Sequence, residues 1–175
     1  MDITIKGLKT FRGNEGLGFS LWLCIDGRKA GEVVDDANGG TLTWHGFSKS
    51  DRDALDAFAL ALPDPFADAD EERKAKGEPP LDMSRECRAS EALDYYVGRL
   101  VDEHEEAKTI KRWCRTKIIF RLKADEKGKY RTIAPPKGHK LTPDYITKAA
   151  ASLREKYGDK LEVIYNERLA TAAVS

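Results

Sequence analysis

No stretch of the 175 residues approaches the roughly eighteen consecutive apolar residues of a membrane-crossing helix, so no such helix and no membrane partner is expected. Cysteine is scarce and odd in number. Cys24, Cys87 and Cys114 include no CxxC pair, which argues against a disulfide framework and against a zinc knuckle. Histidine is limited to three residues. His104-Glu105-Glu106-Ala107-Lys108 begins like a zinc-protease helix, but Lys108 stands where the second histidine ligand is required, so no metal site is expected. The start, MDITIKGLK, lacks the basic and apolar segments of a secretion signal, and a cytoplasmic location is expected. There is no internal repeat of the kind that builds fibres or solenoids. Asp35, Asp36, His45 and His139 offer no nucleophile with a base and an orienting group, so catalysis is not expected and no catalytic residue or cofactor is assigned. The glycine loop Gly13-Asn-Glu-Gly16-Leu-Gly18 joins two strands instead of leading a strand into a helix, and Glu15 would repel phosphate. A hairpin loop is the expected use.

What is present is charge: 34% of residues are charged and 41% hydrophobic, a globular composition, yet the formal net charge is zero. The zero conceals a division. Residues 1–107 carry 13 Lys+Arg against 23 Asp+Glu, or −10, whereas residues 108–160 carry 16 against 5, or +11. Either the two halves neutralise each other or the surplus meets a charged partner.

The element pattern predicts an α+β fold. Residues 3–11, 19–25, 29–34 and 41–44 alternate apolar and polar positions around Gly7, Asp26-Gly27 and Gly39-Gly40, as an antiparallel four-stranded sheet does. Apolar residues on both faces of 19–25 make it a central strand. Ser48 or Ser50 caps a helix running to Leu62, where Pro63 stops it, and this helix packs on the sheet. Residues 63–83 are acidic and rich in proline, and read as a linker or insert. A single long helix is expected over 84–115, with Ala89, Leu93, Tyr96/Val97, Leu100, Ala107, Ile110 and Cys114 on one face. A ββαβ unit follows, with strands over 117–122 and 130–134, a helix from Thr142 to Tyr157 and a strand over 161–165, then a frayed ATAAVS tail. The domains are then 1–62, the insert 63–83, and 84–175, the long helix plus the basic ββαβ unit, with packing as one domain left open.

Two charged surfaces are the candidate sites. The basic one comprises Lys108, Lys111, Arg112, Arg115, Lys117, Arg121, Lys137 and Lys140, interleaved with Trp113, Phe120 and Tyr130, a mixture that suits phosphates and base stacking. Lys137-Gly138-His139-Lys140 also precedes a helix N-terminus, where an anion is favoured. The acidic one comprises Asp102, Glu103, Glu105 and Glu106.

LKTFRGNEGLGF at 8–19 and VVDDANGG at 33–40 resemble the opening of a family of small uncharacterised proteins of tailed phages and prophages. KIIFRLKADEKGKYRTI at 117–133 and KYGDKLEVIYNERL at 156–169 are similar to its end. Residues 63–82 lie outside the resemblance. No catalytic residues come with the family. The resemblance implies an accessory, host-directed protein in the cytoplasm of an infected or lysogenic bacterium; with the charge division, the expectation is a non-enzymatic protein that binds a host macromolecule, a host protein foremost, by charge complementarity, an inhibitor of a host defence component being one such role. The alternative is nucleic-acid binding through residues 108–160.

Overall fold

Alternating side chains build the first sheet in the computed structural model, which describes residues 1–172. Strands β1 (Ile3–Arg12), β2 (Leu17–Ile25), β3 (Arg28–Asp35) and β4 (Thr43–His45) lie in the order β1-β2-β3-β4, each antiparallel to its neighbour. Phe19, Leu21, Leu23 and Ile25 of β2 all point into the core, and Leu23 and Val33 are wholly buried. On the other face of β2, Cys24 is buried but Trp22 is 38% exposed, with the Lys29 ammonium 3.0 Å from its ring centre. Asp26-Gly27 turns β2 into β3 with φ of 48° and 79°, the left-handed pair that a two-residue hairpin requires.

Helix α1 (Lys49–Ala59) starts at Ser48, whose hydroxyl accepts from the Asp51 N–H at 3.2 Å. It ends at Ala59, three residues before the expected Leu62, because residues 60–62 close the helix in turns ahead of Pro63. Leu55 and Ala59 face the sheet, and buried Asp51 is held by Arg28 at 2.5 Å. Residues 63–83 are more ordered than a linker. They contain α2 (Ala67–Ala75), a helix with no buried residue. It is held by polar ties: Arg88 reaches Asp64 at 2.7 Å and Asp70 at 2.8 Å, and Asp70 also accepts from the Leu81 N–H.

The long helix α3 (Arg85–Trp113, 29 residues) forms as its periodicity predicts. Its first half sends Leu93, Val97 and Val101 into the core beneath the first sheet. Residues 102–109 include no buried side chain, and Ala107, expected on the buried stripe, is exposed. The chain accordingly forms two compact units that divide at Asp102, inside this helix. That division differs from the boundaries at 62 and 83 drawn from composition. Packing explains the difference, since residues 63–101 contribute to the first unit through Arg88 and the buried face of α3.

The second unit begins with the last turns of α3. Strand β5 (Ile118–Leu122) is central between β6 (Arg131–Ile133) and β7 (Leu161–Ile164), antiparallel to both. Helix α4 (Pro143–Tyr157) connects β6 to β7, as the expected ββαβ order requires. Thr142 caps it through the Tyr145 N–H, and Pro143 occupies the first turn. Ile118, Phe120 and Leu122 meet Ala150 and Leu153 of α4 and Ile164 of β7 in a core of their own.

After β7 the chain forms α5 (Tyr165–Ala172), so the expected frayed tail is helical as far as Ala172, and residues 173–175 lie outside the described residues. Asn166 is the reason this helix docks. It is buried, its Oδ1 accepts from the Ile119 N–H at 2.8 Å, and its Nδ2 donates to the carbonyls of Cys114 and Lys117 at 3.1 and 3.0 Å. One amide thus ties α5 to β5 and to the segment leaving α3.

Candidate functional site

Among the grooves of the described residues, each unit has one with a strong charge bias, acidic in the first and basic in the second. In the unit from Glu103 onward, 17 Lys+Arg stand against 10 Asp+Glu, a balance of +7; residues 1–102 carry 13 against 20, or −7.

Local pairing does not remove the basic surplus. Six of the second unit's acids already hold a base of the same unit: Glu105 with Lys108, Asp125 with Arg131, Glu126 with Lys129, Asp144 with Lys148, Glu162 with Arg121, and Glu167 with Arg154. Among the described residues, Lys111, Arg112, Arg115, Lys117, Lys137 and Lys140 make no side-chain hydrogen bond or ion pair, and all but half-buried Lys117 are exposed. Two residues assigned to the basic surface are otherwise engaged. Arg121 is 17% exposed, lies 3.4 Å from Glu162 and donates to the Asp125 carbonyl, so it is a structural residue of the sheet face; Lys108 is exposed but paired. Phe120 shares neither role, being buried against Tyr157.

The groove of this unit, about 660 Å³, lies between β6 and α4. Its walls are Arg131, Thr132 and Ile133 on the strand and Tyr145, Lys148, Ser152, Lys156 and Tyr157 on the helix, and no Asp or Glu lines it among the described residues. Tyr145, Lys148, Ser152 and Lys156 recur at steps of three and four, so α4 turns one mixed aromatic and basic face toward the strand. Arg131 grips Asp125 through two guanidinium nitrogens at 2.7 to 3.0 Å. That clamp, with the Leu122 N–H, holds the Asp125 carboxyl down at about 2.

The groove of the first unit, about 770 Å³, lies between the β3–β4 connection and α3. Asp35, Glu91, Asp94 and Asp102 line it with Arg99 as the one base among them, beside exposed Tyr95 and the bare backbone of Gly39, Gly40 and Gly98. Glu91, Asp94, Gly98 and Asp102 follow helical spacing along one face of α3. The Asp94 Oδ2 accepts from the Leu42 N–H at 3.1 Å, while its buried Oδ1 has no hydrogen-bond partner among the described residues. Burial pushes the Asp94 carboxyl up, with the Leu42 N–H and the nearby Trp44 indole opposing.

The acidic surface assigned from sequence is therefore redistributed. Asp102 lines the first unit's groove, Glu105 is paired with Lys108, and Glu106 accepts a short hydrogen bond from the Tyr130 hydroxyl. Glu103 and His104 are exposed. Tyr130 in turn packs edge-on against Trp113 and Tyr165, so the aromatics interleaved with the bases in sequence are spent on packing. Lys137, His139 and Lys140 are exposed ahead of α4, where Thr142 and Asp144 already occupy the helix start. Asp35 and Asp36 bond the Ala37 and Asn38 N–H groups as turn residues do, and His45 and His139 lie in different units.

Glu91, Asp94, Lys148 and Lys156 were not singled out from sequence, although their helical spacing carried the signal. Among the described residues no group of three or more His, Cys, Asp or Glu is placed to hold a metal ion, and no helix is long and apolar enough to cross a membrane. No family model, curated protein or solved structure matches the chain.

Proposed function

We propose that this is a non-enzymatic binding protein, an accessory factor of phage type, that engages a host macromolecule through charge complementarity. The observation that carries the reading is the unneutralised basic surface of the second unit. Six of its ten acids are held in local ion pairs, while among the described residues Lys111, Arg112, Arg115, Lys117, Lys137 and Lys140 remain unpaired. Exposed unpaired charges of one sign raise encounter rates with an oppositely charged surface and favour it over competitors. The partner class is an acidic host protein, a defence component being one candidate, and the setting is the cytoplasm of an infected bacterium.

Nucleic acid is the second reading, favoured by the same unpaired bases. The aromatics interleaved with these bases in sequence give stacking little support, because Phe120 is buried and Trp113 and Tyr130 pack on each other.

Capture from a bacterial lysate tests the reading. Wild-type protein is expected to retain a host protein that the quadruple charge reversal of Lys111, Arg112, Arg115 and Lys117 to Glu releases. Gel shifts with duplex and single-stranded DNA run beside it. A captured protein indifferent to the reversal, or DNA binding that accounts for all of the charge dependence, overturns the protein-partner reading.

A further inference from the structure

We propose that the open edge of β6, together with the groove beside α4, seats an extended acidic segment of a partner protein, which joins the second sheet as a fourth strand. This rests on the charge-complementarity reading and adds to its six unpaired bases a second basic place in the same unit, lined by Arg131, Lys148 and Lys156.

Backbone direction supplies the first argument. β6 is an outer strand of the order β6-β5-β7, so among the described residues one of its sides has no strand partner. The Ile119 N–H is donated to Asn166, which follows β7, and therefore points away from β6. In an antiparallel ladder the N–H and C=O of one residue point the same way, and residues across a pair either exchange both bonds or neither. Ile119 is opposite Thr132, so theirs is a pair that exchanges none, and the N–H and C=O of Thr132 face the open edge. A donor and an acceptor on one residue are what an incoming peptide strand matches. A DNA backbone brings phosphate acceptors and leaves the Thr132 carbonyl without a donor.

Shape and charge supply the second. The groove offers about 660 Å³ alongside the edge, floored by Phe120 and Leu153 and flanked by Tyr145 and Tyr157, which suits alternate side chains of an added strand. Arg131, Lys148 and Lys156 border it without any carboxylate in the lining. Arg131 is compensated by Asp125, but the Lys148–Asp144 pair is about three-quarters exposed on both sides, and such a pair gives way readily to a better-placed acid. The edge is three residues long and is followed by Pro135-Pro136, so backbone pairing is brief and the groove must supply the rest of the affinity.

The test uses full-length protein and fluorescein-labelled ten-residue peptides that alternate Glu with Val or Ile, with poly-glutamate as a probe that carries the charge without strand propensity. Amide hydrogen exchange reads Thr132 and anisotropy reads affinity. The alternating peptides are expected to bind more tightly than poly-glutamate and to slow exchange at Thr132 about tenfold or more, the size of one backbone hydrogen bond. Thr132→Pro removes the outward N–H and is expected to cost about tenfold in affinity. Ser152→Glu, an exposed change on α4 that leaves the strand intact, places an acid in the groove and is expected to weaken binding about as much. Equal affinities for both probes with Thr132 unprotected overturn strand addition and leave charge complementarity standing. Failure of every acidic probe at low salt overturns both. A single-stranded oligonucleotide that protects Thr132 where the peptides do not overturns the peptide as occupant.

Discussion

The two units solve the placement of charge in opposite ways. In the first, α3 contributes Glu91, Asp94 and Asp102 to one groove and buries one Asp94 oxygen; in the second, α4 contributes Lys148 and Lys156 to a groove that among the described residues is lined by no acid. Both grooves lie between a helix and the outer part of a sheet. They differ in what their charges already hold. Six of the second unit's ten acids are tied to neighbouring bases, whereas the first unit spends Arg28 and Arg88 on Asp51, Asp64 and Asp70 and brings Asp35, Glu91, Asp94 and Asp102 to one groove. Net charge zero is thus a property of the sum and of neither part.

The comparison breaks most severely if the second core fails. Phe120→Ala removes a ring buried among Ile118, Leu122, Leu153 and Tyr157, and is expected to cost about 3 to 5 kcal/mol in denaturant unfolding followed by far-UV circular dichroism. Asn166→Ala comes next. It strands the Ile119 N–H and two carbonyls, with an expected loss of about 2 to 3 kcal/mol, while Asn166→Asp, which keeps only the acceptor, recovers part of it at most. Lys148→Glu with Lys156→Glu gives the second groove the sign of the first. Unfolding is expected to move by less than about 0.5 kcal/mol, since both residues are exposed, and binding of an acidic probe to fall about tenfold in anisotropy titrations.

Acid titration sharpens the contrast with the smallest effects. Asp125 is held below the ordinary carboxylate range, so its contribution is present above that range and is lost as pH falls from about 4 toward 2. Asp94 is held above it. Its ionised form opposes folding, so its contribution improves as pH falls through its raised value toward about 4. Asp125→Asn is expected to flatten the first dependence and Asp94→Asn the second, each read as the thermal midpoint against pH. Identical profiles for the two variants would contradict the opposite environments.

Much of this fold was legible in the sequence because its signals are local. The Asp26-Gly27 turn, the Ser48 and Thr142 caps and the period of α3 each act within a few residues, and the four-stranded order followed from short connections. What escaped the reading depends on distant partners. α2 has too few apolar residues to be recognised and is held by Arg88, and α5 is fixed by Asn166 to atoms 47 to 52 residues away. The basic surface was visible as composition. Which bases remain free was not, because Arg121 and Lys108 are taken up by partners that only the fold supplies.

The central claim is that the second unit's free bases are a working surface. Titration of full-length protein with fluorescein-labelled poly-glutamate across a range of salt measures it most directly. The account predicts binding at low salt that weakens steadily as screening shortens the reach of exposed charges, and that the reversal of Lys111, Arg112, Arg115 and Lys117 to Glu weakens further. No binding at low salt, or binding indifferent to both salt and the reversal, would contradict it.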